Sequence, residues 1–118
     1  MSIRWRILVI EDDQPMALGL IINLEAEGYE VAAVDYRGVD DPDERVQMLH
    51  EFCRGFSGHL VLVGSSLGGY VSLAAAPTLH AGGVFLMAPA IHVSGIPPLK
   101  RGVPDCPIAL VHGWRDVR

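Results

Sequence analysis

Apolar residues in this chain form five short runs, separated by segments in which they recur at helical spacing. The runs are aliphatic and β-branched, as in strands buried on both faces, and they cover residues 7–10, 29–34, 60–63, 84–87 and 108–111. Between the first four runs, apolar residues recur every three or four positions, which predicts helices. The resulting order, β-α-β-α-β-α-β-loop-β, favours a parallel sheet with right-handed crossovers.

Turn and cap residues place the ends of the three predicted helices. Pro15 suits a first helical turn, and Gly28 suits the position just after a helix. Residues 41–44, Asp-Pro-Asp-Glu, have the pattern of a capping box with proline at the first helical position. The third helix is predicted over residues 70–76, because Pro77 should limit it.

The order of elements predicts a three-layer α/β fold of the flavodoxin-like (Rossmann-like) type. Five parallel strands in this connectivity fit the order 2-1-3-4-5 within one domain over residues 1–118. Residues 89–107 contain five prolines and should form a loop. Only seven residues follow the fifth run, so we expect the sheet to lack its final helix.

Composition excludes several classes of protein. The 50% hydrophobic content argues against disorder, yet no apolar run approaches the roughly 18–20 residues of a membrane span. Nine basic against fourteen acidic residues give a net charge of −5, which argues against nucleic-acid binding. The start of the chain lacks the pattern of a signal peptide, so we expect a cytoplasmic protein. Cys53 and Cys106 should be free thiols.

The first quarter of the chain resembles the start of a response-regulator receiver domain. Residues 7–35 contain a strand, an acidic cluster and a helix ending Leu-Glu-x-x-Gly-Tyr-Glu-Val. The resemblance implies that Asp12 and Asp13 match acids that hold Mg²⁺. Gly64, however, stands where the phosphorylated aspartate would be expected. We therefore expect no phosphorylation switch and no cofactor, with weak divalent-cation binding by Asp12 and Asp13 as one alternative function.

The remainder of the chain, residues 36–118, resembles the α/β hydrolase superfamily. The segment Leu-Val-Leu-Val-Gly-Ser-Ser-Leu-Gly-Gly contains Gly-x-Ser-x-Gly between an apolar strand and a small-residue helix, which is similar to a nucleophile elbow. The resemblance implies that Ser66 is at the nucleophile position and that the Leu67 N–H faces a developing oxyanion. The segment Pro-Ile-Ala-Leu-Val-His-Gly-Trp-Arg-Asp-Val resembles the strand and loop of the triad acid, which places a vestigial acid at Asp116.

Two features argue against a complete hydrolase site. In the superfamily the catalytic histidine follows an eighth strand, which this chain does not reach, and without a base a serine hydroxyl is a weak nucleophile. His92, in the loop after the fourth strand, is the histidine with plausible reach to Ser66. The loop after the first strand should supply a second oxyanion N–H, but residues 11–13 are Glu-Asp-Asp, whose carboxylates should repel an oxyanion.

From the two resemblances we expect an engineered or recombined chimera, joined near residue 35, with no physiological substrate. The alternative is a weak esterase-like serine hydrolase that uses Ser66 with Asp116 and either His92 or a histidine of a second chain. A sheet face without its last helix should expose apolar surface, so we expect a homodimer or a higher oligomer.

Overall fold

A computed structural model describes residues 5–56, 58–89 and 106–111. Five parallel strands form one sheet: β1 (Trp5–Ile10), β2 (Glu30–Ala33), β3 (His59–Ser66), β4 (Gly83–Pro89) and β5 (Ile108–Val111). Their order is β2-β1-β3-β4-β5, so the predicted fold class and strand order are confirmed. The carboxyl ends of all five strands therefore lie at the same edge of the sheet.

Three helices connect the first four strands: α1 (Gln14–Ala26), α2 (Pro42–Phe52) and α3 (Leu67–Leu79). At the start of α2, the Asp41 side chain accepts a hydrogen bond of 3.2 Å from the Asp43 N–H, with Pro42 in the first turn. Gly28 follows α1 with φ of 93°, a backbone conformation that glycine adopts readily. These ends agree with the predicted ones.

The predicted limits of the third helix were wrong at both ends. The helix begins at Leu67, directly after β3, and it runs through Pro77 to Leu79. Pro77 lacks the N–H that would bond to the carbonyl four residues earlier, but its fixed φ is compatible with a helix, and the helix continues for two more residues. It ends at His80, whose φ of 52° is left-handed.

The helices lie on both sides of the sheet and define two apolar layers. Helix α1 contacts β1 and β2 on one face, whereas α3 packs on the sheet and against α2 on the other. The main core lies on the α2–α3 side and includes Leu8, Leu62 and Tyr70, all nearly inaccessible to solvent. Strand β1 is an interior strand between β2 and β3, and its residues Ile7–Ile10 are buried.

The face of the sheet beside α1 carries an apolar groove of about 470 Å³. Strand and helix residues line it: Trp5, Ile7, Leu20, Leu24, Tyr29, Val61, Val63, Phe85 and Met87.

The predicted absence of a final helix concerns residues after Val111, which lie outside the described residues. None of the helices among the described residues is long and apolar enough to cross a membrane. Cys53 and Cys106 are free thiols.

Candidate active site

Ser66 lies at the junction of β3 and α3 in a strained backbone conformation. Its φ is 52° and its ψ is −123°. A positive φ is uncommon for a residue other than glycine, and such strain persists only where the surrounding structure imposes it. Ser66 is exposed, its neighbours Ser65 and Leu67 are half-buried, and Gly64 and Gly68 on either side of them are buried. The turn thus presents a hydroxyl group to solvent at the carboxyl edge of the sheet.

Two glycines allow the strands and the helix to approach each other closely around Ser66. A Cβ atom on Gly68 would lie closer than 3.0 Å to the carbonyl oxygen of Ile10. A Cβ atom on Gly64 would lie closer than 3.0 Å to the carbonyl oxygen of Gly68 and to the Ser72 hydroxyl. Side chains at these positions would push α3 away from β1 and β3. The glycines of the motif therefore have a packing role that follows from the structure.

Leu67 is the first residue of α3 and follows Ser66 directly. The N–H groups of the first helical turn have no acceptor within their own helix, and the helix dipole makes this end partly positive. An oxyanion that forms on a substrate bonded to the Ser66 Oγ would lie close to these donors. The arrangement can therefore support nucleophilic attack with electrostatic stabilisation of the resulting anion.

The acidic loop between β1 and α1 borders this junction, and two of its carboxylates already have partners. Glu11 is buried, and its Oε1 accepts a hydrogen bond from the Ser65 Oγ. The Asp12 Oδ2 lies 2.6 Å from the Nη1 of Arg45, a buried guanidinium on α2. Both negative charges are thus bound by donors, which weakens the expectation that this loop repels an oxyanion. Asp13 is exposed at the N-cap of α1.

The same contacts bear on the expected cation site at Asp12 and Asp13. The Asp12 carboxylate forms an ion pair with Arg45, which also donates from Nε to the Val39 carbonyl oxygen at 2.6 Å. Over the described parts of the chain, no three His, Cys, Asp or Glu side chains are grouped so that they could hold a metal ion. The two aspartates therefore form no set of ligands with a third residue there.

The histidine and the acid expected from the sequence, His92 and Asp116, lie outside the described residues. Three other histidines are described, and their surroundings differ. His50 forms a hydrogen bond with Thr78 between α2 and α3, and His80 ends α3. His59 begins β3 and stacks on Trp5 with ring centroids 4.5 Å apart. His59 lies seven residues before Ser66 on β3, so the two residues are about 23 Å apart at the normal rise of a strand.

Glu11 and Ser65 are the site residues that the sequence reasoning did not identify as partners. The parallel register pairs Ile10 with Gly64, so the next residues on the two strands, Glu11 and Ser65, come to the same level of the sheet. That register was not available from the sequence, although an acid after one strand and a serine at the end of its neighbour were visible. The two residues were visible in the sequence, but only the pairing of β1 with β3 shows that they meet.

Comparison with known proteins agrees with this geometry. Residues 5–118 match the alpha/beta hydrolase family. The chain belongs to the α/β hydrolase family. The match covers residues 7–35 as well as the elbow, and it shows neither a receiver domain nor a junction near residue 35.

Two solved structures resemble this α/β hydrolase over nearly its whole length. One is a protein from Xanthomonas campestris pv. campestris proposed to be a hydrolase of the α/β superfamily, with 26% identity and a TM-score of 0.77. It covers 94% of this chain, which spans 72% of that protein. The other, from Xanthomonas campestris, is described as an α/β serine hydrolase without lid, with 21% identity and a TM-score of 0.67. It covers 96% of this chain, which spans 60% of that protein. A comparison with curated proteins gave no match.

Proposed function

We propose that this protein is an esterase-like serine hydrolase in which Ser66 is the nucleophile. The observation that carries the proposal is the positive φ of an exposed serine between a buried strand and a helix N-terminus. A strained turn of this kind is the structural context in which Gly-x-Ser-x-Gly acts as a nucleophile elbow. Membership of the α/β hydrolase family supports hydrolysis as the class of reaction.

The proposed reaction is acyl transfer to Ser66 followed by hydrolysis. The Ser66 Oγ attacks the ester carbonyl carbon while a base accepts its proton, and the N–H of Leu67 donates to the oxyanion. The alcohol leaves with that proton, and water then cleaves the acyl-enzyme by the same route. We propose His92 as the base and Asp116 as the acid that orients it; both assignments stem from the sequence.

The hypothesis of a chimeric protein without a substrate has less support than the hypothesis of a serine hydrolase. A single family match covers both segments that the sequence analysis had separated, and the elbow around Ser66 has the strain expected of a functional turn. The two hypotheses differ in one measurable property, which is the dependence of ester hydrolysis on the Ser66 hydroxyl.

Hydrolysis of p-nitrophenyl acetate and butyrate by the wild type and by Ser66→Ala tests the proposal. We expect the rate to fall by roughly 100-fold or more in Ser66→Ala, because no other group would form the acyl-enzyme. His80→Asn is the matched control: it removes an exposed imidazole, a weak catalyst of aryl ester hydrolysis, and asparagine tolerates the left-handed φ of 52°. This control should keep the wild-type rate.

A second readout is covalent labelling by a fluorophosphonate, in which the Ser66 Oγ displaces fluoride and forms a bond to phosphorus. Mass spectrometry of the digested wild type should locate the adduct on Ser66. Equal rates of ester hydrolysis in the wild type and in Ser66→Ala, together with no adduct on Ser66, would rule out the proposal and favour the chimera without a substrate.

A further inference from the structure

Glu11 is a buried carboxylate whose described partners are a hydroxyl and a main-chain N–H. It is 9% exposed, and its two oxygens accept from the Ser65 Oγ and, at 3.4 Å, from the Asp13 N–H. The ion pairs among the described residues do not include it. Burying a carboxylate is unfavourable unless donors surround it, so its place beside the elbow needs an explanation.

Regular strand pairing ends just where the strained turn begins. On one side, the ladder between β1 and β3 has its last pair at Ile10 and Gly64. On the other side, the register between β3 and β4 shifts between Ser65 and Ser66. Main-chain pairing therefore holds β3 to β1 only up to Gly64 and to β4 up to Ser65, and the register shift falls at Ser66. The hydrogen bond from Ser65 to Glu11 continues the connection between β1 and β3 past the last regular pair.

A residue with φ of 52° keeps that conformation only if its neighbours hold it there. After Ser66, the close contact of Gly68 with the Ile10 carbonyl oxygen positions the start of α3. Before Ser66, the side-chain contact that ties the preceding residue to β1 is the one between Ser65 and Glu11. The turn is thus held from both sides by the carboxyl end of β1.

We infer that Glu11 is a positioning residue for the Ser66 nucleophile: its carboxylate holds Ser65 and, through it, the strained backbone of Ser66. The catalytic part of this inference rests on the proposed function. The conformational part does not, because the backbone of Ser66 can be examined without any substrate.

The test uses the variants Glu11→Ala, Ser65→Ala, the double variant and Glu11→Gln in the full chain. The first two remove one partner each. Glu11→Gln removes the charge but keeps an oxygen that can accept from Ser65. Glu25→Gln, at an exposed carboxylate on α1, is the matched control for the loss of a negative charge. If Glu11→Ala does not fold, Ser65→Ala tests the same contact with a smaller change.

The first readout is the one-bond Cα–Hα coupling constant of Ser66 measured by NMR, which is smaller at positive φ than at negative φ. We expect it to rise in Glu11→Ala and in Ser65→Ala, to rise no further in the double variant, and to stay at the wild-type value in Glu11→Gln and Glu25→Gln. The second readout is ester hydrolysis, in which kcat should fall about 10- to 100-fold in the two alanine variants while KM changes little. Glu11→Gln should restore kcat.

A wild-type coupling constant in both alanine variants would overturn the inference, even if their thermal stability fell. If the coupling constant changes as expected but the wild type hydrolyses no ester, Glu11 still positions Ser66 and the proposed function fails. If the wild type hydrolyses esters and the coupling constant does not change, the proposed function stands and the role of Glu11 is structural only.

Discussion

Asp35 shows how one neighbour determines the charge of an exposed carboxylate at this sheet edge. The Nε of Arg37 lies 2.9 Å from its Oδ2 and the Nη2 lies 2.6 Å from it, while the Arg37 backbone N–H donates to Oδ1 at 3.0 Å. These bonds, the side-chain ones first, lower the pKa of Asp35 to about 2. Asp35 therefore stays ionised at any pH at which the protein would be assayed.

Replacing Arg37 by glutamine should raise the pKa of Asp35 toward its ordinary value of 3.8, but not fully, because the backbone N–H remains. A carboxyl group whose pKa is lower in the folded than in the unfolded state stabilises the fold at pH values above its unfolded pKa. This stabilisation is lost as the pH falls through the folded-state pKa of about 2. Carbon-detected NMR of the Asp35 carboxyl between pH 6 and pH 3 should show little change in the wild type and clear titration in Arg37→Gln. Arg54→Gln, which removes an ion pair with Glu51, is the control. Identical titration curves in all three proteins would contradict this prediction.

At the scale of elements, the closeness of α3 to β1 decides how the elbow forms. Gly68 is buried in the first turn of α3, where its Cα faces the carbonyl group of Ile10. A main-chain carbonyl at the end of a central strand cannot move aside as a flexible side chain could. The helix can therefore begin directly after Ser66 only if the second residue of the helix is glycine.

We expect Gly68→Ala to lower the free energy of unfolding by about 1–3 kcal/mol, because the added methyl group overlaps with the Ile10 carbonyl. The matched control is Gly19→Ala in α1, where an added Cβ would meet no atom within 4 Å. There, Gly19→Ala should instead raise the free energy of unfolding by about 0.5–1 kcal/mol, because alanine favours a helix more than glycine does. Urea unfolding of both variants measures the two values. Equal stability of Gly68→Ala and the wild type would show that α3 can shift without cost.

At the scale of the whole molecule, the apolar surface beside α1 is its most unusual feature. The nine residues that line the groove on this face are all aliphatic, aromatic or methionine. Helix α1 also carries apolar side chains on its other sides, since Leu18 is 57% exposed and Ile22 is 56% exposed. Each Å² of such surface left in water is unfavourable by about 25 cal/mol.

We expect the chain to self-associate as a dimer or higher oligomer through this face. A second copy presents the same uncharged surface, so the net charge of −5 adds no repulsion within the contact. Light scattering at micromolar concentration should give at least twice the mass of one chain. Tyr29→Lys places a charge in the groove at a residue that is 50% exposed and should shift the population toward monomers. Leu18→Lys, away from the groove, should leave the oligomer unchanged. A wild type that is monomeric at all concentrations would contradict the expectation.

The sequence alone was sufficient for the fold class, the strand order and the position of the glycine-rich turn at Ser66. Alternating apolar runs and helical spacing are local patterns, and they predicted each described element to within a few residues. The largest errors, three residues each, were at both ends of α3 and at the end of β3. Pro77 and the glycines after Ser66 were interpreted by their usual local effect, whereas the close packing of Gly68 on β1 makes glycine a requirement of this helix.

What only the tertiary structure decided are the contacts that depend on strand register. The acids after β1 appeared from the sequence to be either metal ligands or an obstacle to catalysis. In the folded chain, Asp12 pairs with Arg45, which is 33 residues away, and Glu11 binds Ser65, which is 54 residues away. Local patterns of hydrophobicity determine which segments form strands, but the side chains that meet at their ends are set by the alignment of the strands. The elbow could therefore be located from the sequence, while the residue that holds it could be found only in the fold.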